Sequence, residues 1–147
     1  RKEKTMRVFI AGIMQGSRTG RGIDVQDYRR EITQVLQHHI PEVEIVDPLA
    51  LHPNSVSYGR EQAKQTLLDL AALAGQVDAL VAFVPLASMG TAIEMWHAYQ
   101  GNVRVYTISP LADNWVVQSL SERVFPDVAA FVTFVANGGL SETKLEA

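Results

Sequence analysis

The sequence predicts a doubly wound α/β fold, a five-stranded parallel sheet with helices on both faces. Two observations carry this expectation. Short apolar runs rich in β-branched or aromatic residues recur along the chain, and segments of helical periodicity lie between them. The order reads βαβαβαβαβ, the pattern in which parallel strands are joined by crossover helices. A third observation is length. At 147 residues the chain suits a single domain spanning 1–147, with 1–5 and 141–147 expected as loose tails.

Four runs read as buried strands: RVFIAG (Arg7 to Gly12), VEIVDP (Val43 to Pro48), ALVAFV (Ala79 to Val84) and VRVYTIS (Val103 to Ser109). Tyr28, Ile32, Val35, Leu36 and Ile40 mark a first helix, and Ala63, Leu67, Leu70, Leu73 and Ala74 a second. Ile93, Trp96 and Ala98 mark a third. A fourth helix is expected over about Trp115 to Val124, followed by a fifth strand in the run AAFVTFVA (Ala129 to Ala136).

Composition narrows the function. With 47% hydrophobic and 20% charged residues and a net charge of −3, the chain has no basic excess for a phosphate backbone, so no nucleic-acid partner is expected. There is no cysteine, which excludes disulfides, thiolate metal sites and a cysteine nucleophile. The longest apolar run, Ala79 to Ala87, falls far short of the ~20 residues of a membrane span, so no membrane partner is expected either. The start RKEKT leads straight into a strand-like run, and a cytoplasmic protein is expected by default.

In open parallel sheets ligands gather at the carboxyl edge where the strand order reverses. With the flavodoxin-like order 2-1-3-4-5, that reversal lies between the first and third strands. It sets the loop GIMQGSRTGRGID against PLASMGT, with Glu94 in the first turn of the helix that follows, pointing to the crevice. Two readings of Glu94 stand side by side. Thr91-Ala92-Ile93-Glu94 fits a capping box, in which the carboxylate only closes the helix end. Alternatively Ser88-Met89-Gly90 lets backbone approach a ligand, and the helix N-terminus favours the ionised carboxylate that a nucleophile needs.

FIAGIMQGS and LLDLAALAGQVDALVAFVPLASMGTAIEMWHAY resemble the nucleoside 2-deoxyribosyltransferase family and the related nucleoside 5'-monophosphate N-glycosidases, over about Arg7 to Val124. The most specific element is Ser-x-Gly-Thr-x-x-Glu after an apolar strand, coupled to the aspartate of LLDL. The resemblance implies that Glu94 attacks the anomeric carbon to form a glycosyl-enzyme ester, and that Asp69 handles the proton of the leaving base. Such chemistry asks for two carboxylates with different tasks: an anion beside an oxocarbenium-like centre, and an acid whose pKa burial raises. The partners implied are a nucleoside and a free nucleobase, and the assembly a homo-oligomer whose active sites are completed across subunits. No cofactor and no metal are expected.

The same resemblance implies that Phe9, Gly12, Met14, Gln15, Ser88, Gly90 and Asn114 bind substrate. Phe9 stands where the family commonly has a tyrosine beside the 2' carbon, and the missing hydroxyl implies tolerance of ribose as well as 2'-deoxyribose. Ser88 replaces the aspartate of several transferases and matches the nucleotide hydrolases, where it holds a 5'-phosphate. Gln15 stands where their arginine would fall, although Arg18 and Arg21 lie close by. Asn114 is also a plausible helix cap. The alternative function is therefore a (deoxy)nucleoside 5'-monophosphate N-glycosidase, and a more remote one a non-catalytic nucleotide-binding module.

Other motifs are set aside. GSRTGRG (Gly16 to Gly22) matches neither the dinucleotide nor the Walker pattern and reads as a lid or a solvated loop. Glu94-Met95-Trp96-His97 is one Glu-x-x-His where a di-iron site needs two, and Ser88 lacks the surroundings of a hydrolase nucleophile.

Overall fold

The computed structural model describes residues 5–16, 18 and 22–140. The tails at 1–4 and 141–147, and most of the GSRTGRG segment, lie outside the described residues. The elements run β1 (Arg7–Gly12), α1 (Asp27–His39), β2 (Glu44–Val46), α2 (Pro48–Leu51), α3 (Arg60–Ala74), β3 (Ala79–Phe83), α4 (Met89–Gln100), β4 (Arg104–Ile108), α5 (Trp115–Leu120), β5 (Arg123–Phe125) and α6 (Val128–Ala136). The strands form one all-parallel sheet in the order β2-β1-β3-β4-β5, the flavodoxin-like order.

Alternation along each strand feeds two cores. Val8, Ile10, Val81, Tyr106 and Ile108 face α1 and α6, packing on Ile32, Leu36, Phe131 and Val135. Phe9, Ala11, Leu80, Ala82 and Val105 face the other way, onto Ala74, Met95 and Ala98 of α3 and α4. Each fully buried Phe, Ile or Leu contributes about 1.5–3 kcal/mol, so burial on both faces holds the middle strands firmly.

The C-terminal part departs from the sequence expectation. The run Ala129 to Ala136 is helical, and the fifth strand is the three-residue Arg123–Phe125, which pairs with β4 through Ile108 and Phe125. Asp127 decides this locally, because its carboxylate accepts the Ala130 N–H at 2.9 Å and opens α6. Phe131 and Val135, four residues apart, then share the buried face, and the Phe131 ring meets Phe125 edge-on at 5.4 Å. The expected fourth helix is correspondingly shorter, ending at Leu120.

The third expected helix also turns a different face inward. Thr91, Glu94, Met95 and Ala98 are its buried residues, whereas Ile93 and Trp96 are exposed. This rotation brings Glu94 inside.

Candidate active site

A cavity of about 330 Å³ opens at the carboxyl edge between β1 and β3, where the strand order reverses. Gly12 lines it from the end of β1, Met14 and Gln15 from the loop that follows, and Ser88, Gly90, Thr91 and Glu94 from the first turns of α4 and its cap. The structure thus brings together six of the expected site residues: Gly12, Met14, Gln15, Ser88, Gly90 and Glu94.

The start of α4 explains how. Ser88, in extended conformation, is the N-cap; its Oγ accepts the Thr91 N–H at 3.4 Å and lies 2.8 Å from Thr91 Oγ1. The cap is therefore three residues earlier than the capping-box reading placed it. Glu94 falls in the second turn and does not close the helix end, so that reading is overturned. A carboxylate with no capping duty is 8% exposed and faces a cavity.

Burial pushes the Glu94 carboxyl up to about 7, while the Arg29 guanidinium pulls the other way. The expectation that the helix terminus keeps this group ionised thus yields to the stronger cost of desolvation. Arg29, on α1 and 3% exposed, is fixed from all sides: Nε donates to Gln26 Oε1 at 2.8 Å, Nη1 to Ile10 O at 3.1 Å and Asp47 Oδ1 at 3.0 Å, and Nη2 to Gly12 O at 3.3 Å. It lines the same cavity. Sequence reasoning missed it, although position 29 stands three before Ile32 and seven before Leu36, an arginine on an apolar helical stripe.

Gly12 and Gly90 are glycines for different reasons. A side chain at Gly12 would run into the Tyr28 ring, which is buried and gives its hydroxyl proton to Ile13 O at 3.0 Å. At Gly90, which lines the cavity, an added Cβ would meet nothing within 4 Å beyond its own helix and chain neighbours, so the fold does not demand a glycine there.

Three expected residues lie elsewhere. Phe9 is fully buried in the core between the sheet and α3 and α4, where the pleat of β1 points it, and does not line the cavity; the argument from Phe9 to ribose tolerance falls with it. Asp69 is exposed and accepts from Gln65 Nε2 at 2.8 Å. The cavity face of α3 is Ala63, Thr66, Leu67 and Leu70, and Asp69 stands about 110° round the helix from its centre. Leu67 and Leu70, its crowding neighbours in sequence, take the inward positions instead. Asn114 caps α5, accepting from Val116 N at 2.9 Å and Val117 N at 3.3 Å, and lines a separate apolar hollow. Of the two cations close to the first loop, Arg18 is paired with Asp24 at 2.6 Å and does not line the cavity, and Arg21 lies outside the described residues.

Solved structures share this architecture. A 2-deoxyribosyltransferase of Bacillus psychrosaccharolyticus, described as a biocatalyst for nucleoside synthesis, superposes with a TM-score of 0.64 at 15% identity, over 86% of this chain and 90% of that one. The two chains share a fold. A conserved protein of Enterococcus faecalis V583 superposes with a TM-score of 0.57 at 12% identity, over 92% of this chain and 99% of the other. No protein-family model matches the sequence, and no curated protein matches it.

Proposed function

We propose that the protein is a glycosyl-transferring enzyme that exchanges the base of a nucleoside by double displacement, with Glu94 as nucleophile. The observation that carries this reading is the buried Glu94 carboxylate lining a cavity at the reversal of strand order, beside the fixed Arg29 guanidinium. The shared fold with a 2-deoxyribosyltransferase supports a nucleoside as substrate.

The ionised carboxylate stabilises positive charge developing at the anomeric carbon and then bonds to it as the base departs. The departing base takes a proton from water; a second base, giving up its ring N–H proton to water, attacks the anomeric carbon from the vacated side, breaks the C–O bond of the ester and restores the carboxylate. Arg29 helps Glu94 reach its ionised form within a buried site, and its bonds to two β1 carbonyls fix where that charge stands. Gly90 leaves room for the sugar against the start of α4. Asp69, turned away from the cavity, is not assigned the proton of the leaving base.

The test is incubation with a 2'-deoxynucleoside or a ribonucleoside together with a different free base, followed by chromatography. Wild type is expected to form the new nucleoside, and Glu94→Gln to lose about 10³-fold or more, since an amide keeps the shape without the nucleophile. Because the carboxyl is pushed up to about 7, kcat/KM should climb as pH rises through that value. Substantial exchange by Glu94→Gln would overturn the covalent mechanism. Turnover confined to 5'-monophosphates, with water as acceptor, would assign the protein to the N-glycosidases instead.

A further inference from the structure

The cavity has a second wall that Glu94 and Arg29 do not use. Its lining also includes the apolar Pro48, Val56, Leu67 and Leu70, together with Tyr58. Tyr58 is the one aromatic side chain among the described residues that line this cavity.

The segment that carries it is unusually well tied for a connection. Asp47 caps α2 by accepting the Leu49 N–H at 3.0 Å, while also holding Arg29. His52 ends α2 with its N–H on Pro48 O at 2.9 Å, and its own carbonyl accepts from Ser55 N at 3.2 Å. A single 3₁₀ turn, Ser55–Ser57, follows, and the Tyr58 N–H closes it on Ser55 O at 3.0 Å. The two side chains then meet. His52 Nδ1 and Tyr58 Oη are 2.9 Å apart, with the rings perpendicular and their centroids 5.8 Å apart. A half-buried tyrosine in a loop is otherwise free to change rotamer; this one is held at both its backbone and its hydroxyl.

We propose that Tyr58, held in place by His52, seats the heteroaromatic base of the substrate, offering its ring as a stacking face among the apolar residues that line the cavity. The inference rests on the nucleoside reading above. Every base presents a flat π-face, so a single fixed ring suits an enzyme that must accept both the departing and the incoming base. Apolar neighbours complete the slot, and the sugar is left at the Glu94 end. Tyr58 touches the base; His52 is a positioning residue that acts through Tyr58.

The test measures equilibrium binding of free adenine and free cytosine by calorimetry, alongside base-exchange kinetics, in wild type, Tyr58→Ala, Tyr58→Phe, His52→Ala and His52→Asn, each checked for folding by thermal unfolding. Loss of the ring should weaken base binding and raise KM for the acceptor base about 5- to 150-fold. Tyr58→Phe, which keeps the ring, should stay much nearer wild type. His52→Ala should raise KM about 2- to 12-fold with kcat largely kept, and His52→Asn, which can still bond the phenol, should recover most of that loss. Unchanged base binding and KM in folded Tyr58→Ala would overturn the proposal, as would a loss as large in Tyr58→Phe as in Tyr58→Ala. The two readings fail separately: base binding that depends on the Tyr58 ring, without any exchange, would support the seat and sink the transferase reading. Exchange without dependence on Tyr58 would do the reverse.

Discussion

Two hollows open side by side along the carboxyl edge of the sheet, and they share Gly16, Ser88 and Met89 as a common rim. The one beyond Ser88, walled by Val84, Met95, Leu111, Val116 and Val117, is the larger at about 400 Å³ against about 330 Å³. Yet no titratable side chain lines it among the described residues, whereas its smaller neighbour encloses Arg29 and Glu94. Volume alone does not separate them. A buried carboxylate is a standing thermodynamic cost that packing would remove, and its presence in one hollow and absence from the other is what singles out the smaller as the candidate site.

The sharpest way to break this contrast is to remove the charge that makes the smaller hollow tolerable. Arg29→Met takes the guanidinium from two β1 carbonyls and from Asp47, whose carboxylate keeps the Leu49 N–H, and loss of one partner from a buried pair costs about 3–5 kcal/mol. Urea unfolding at neutral pH should register that loss; a cost well below 1 kcal/mol, outside the roughly 3–5 expected for a buried pair, would mean that the guanidinium is incidental to the fold.

A gentler change should act with the opposite sign. The Glu94 carboxyl sits at about 7 in the folded chain against an ordinary value of 4.5. Protonated Glu94 therefore favours the folded state fully below 4.5, and this contribution is lost as pH rises through about 7. Glu94→Gln escapes that loss. Its stability relative to wild type should grow between pH 4.5 and 8 by on the order of 3 kcal/mol, read from denaturant midpoints across pH. A difference flat with pH would show that the carboxylate is well solvated. Activity and stability are thus expected to pull apart over one pH range.

The smallest effect belongs to the apolar hollow. Val116 is 40% exposed on its wall, and Val116→Ser should shift stability by less than about 1 kcal/mol and leave base exchange unchanged. A collapse of exchange in that variant would erase the distinction between the hollows and draw α5 into the site.

What could be read in the sequence follows the same divide. The inner runs announced β1, β3 and β4 because strands covered on both faces are apolar along most of their length, and β2, an edge strand of three residues, still showed through Ile45 and Val46. The fifth failed for a related reason. Arg123–Phe125 is too short to leave a pattern, while α6, packed between β5 and α1, is apolar enough to imitate a strand; Asp127 was the cue that went unused. Glycine and serine positions around the cavity were legible because loops at the edge of a known topology have few places to go. Side-chain direction was not. Phe9 stands in the middle of a strand covered on both faces and so is core whichever way the pleat turns it, and one position on a helical wheel turns Asp69 outward while Glu94 turns in. Arg29 and Tyr58 come from elements remote in sequence from the Ser-x-Gly-Thr-x-x-Glu segment, and only the folded chain sets them around it.

The open space at Gly90 offers a practical handle. The protein has no cysteine, so Gly90→Cys would carry the sole thiol of the chain, placed in the cavity wall where an added Cβ meets nothing. At the second position of a helix that thiol would be inclined towards its reactive thiolate form. A single-hit fluorescent label could then report occupancy of the cavity directly, and protection from labelling would rank candidate ligands without any turnover having to be observed.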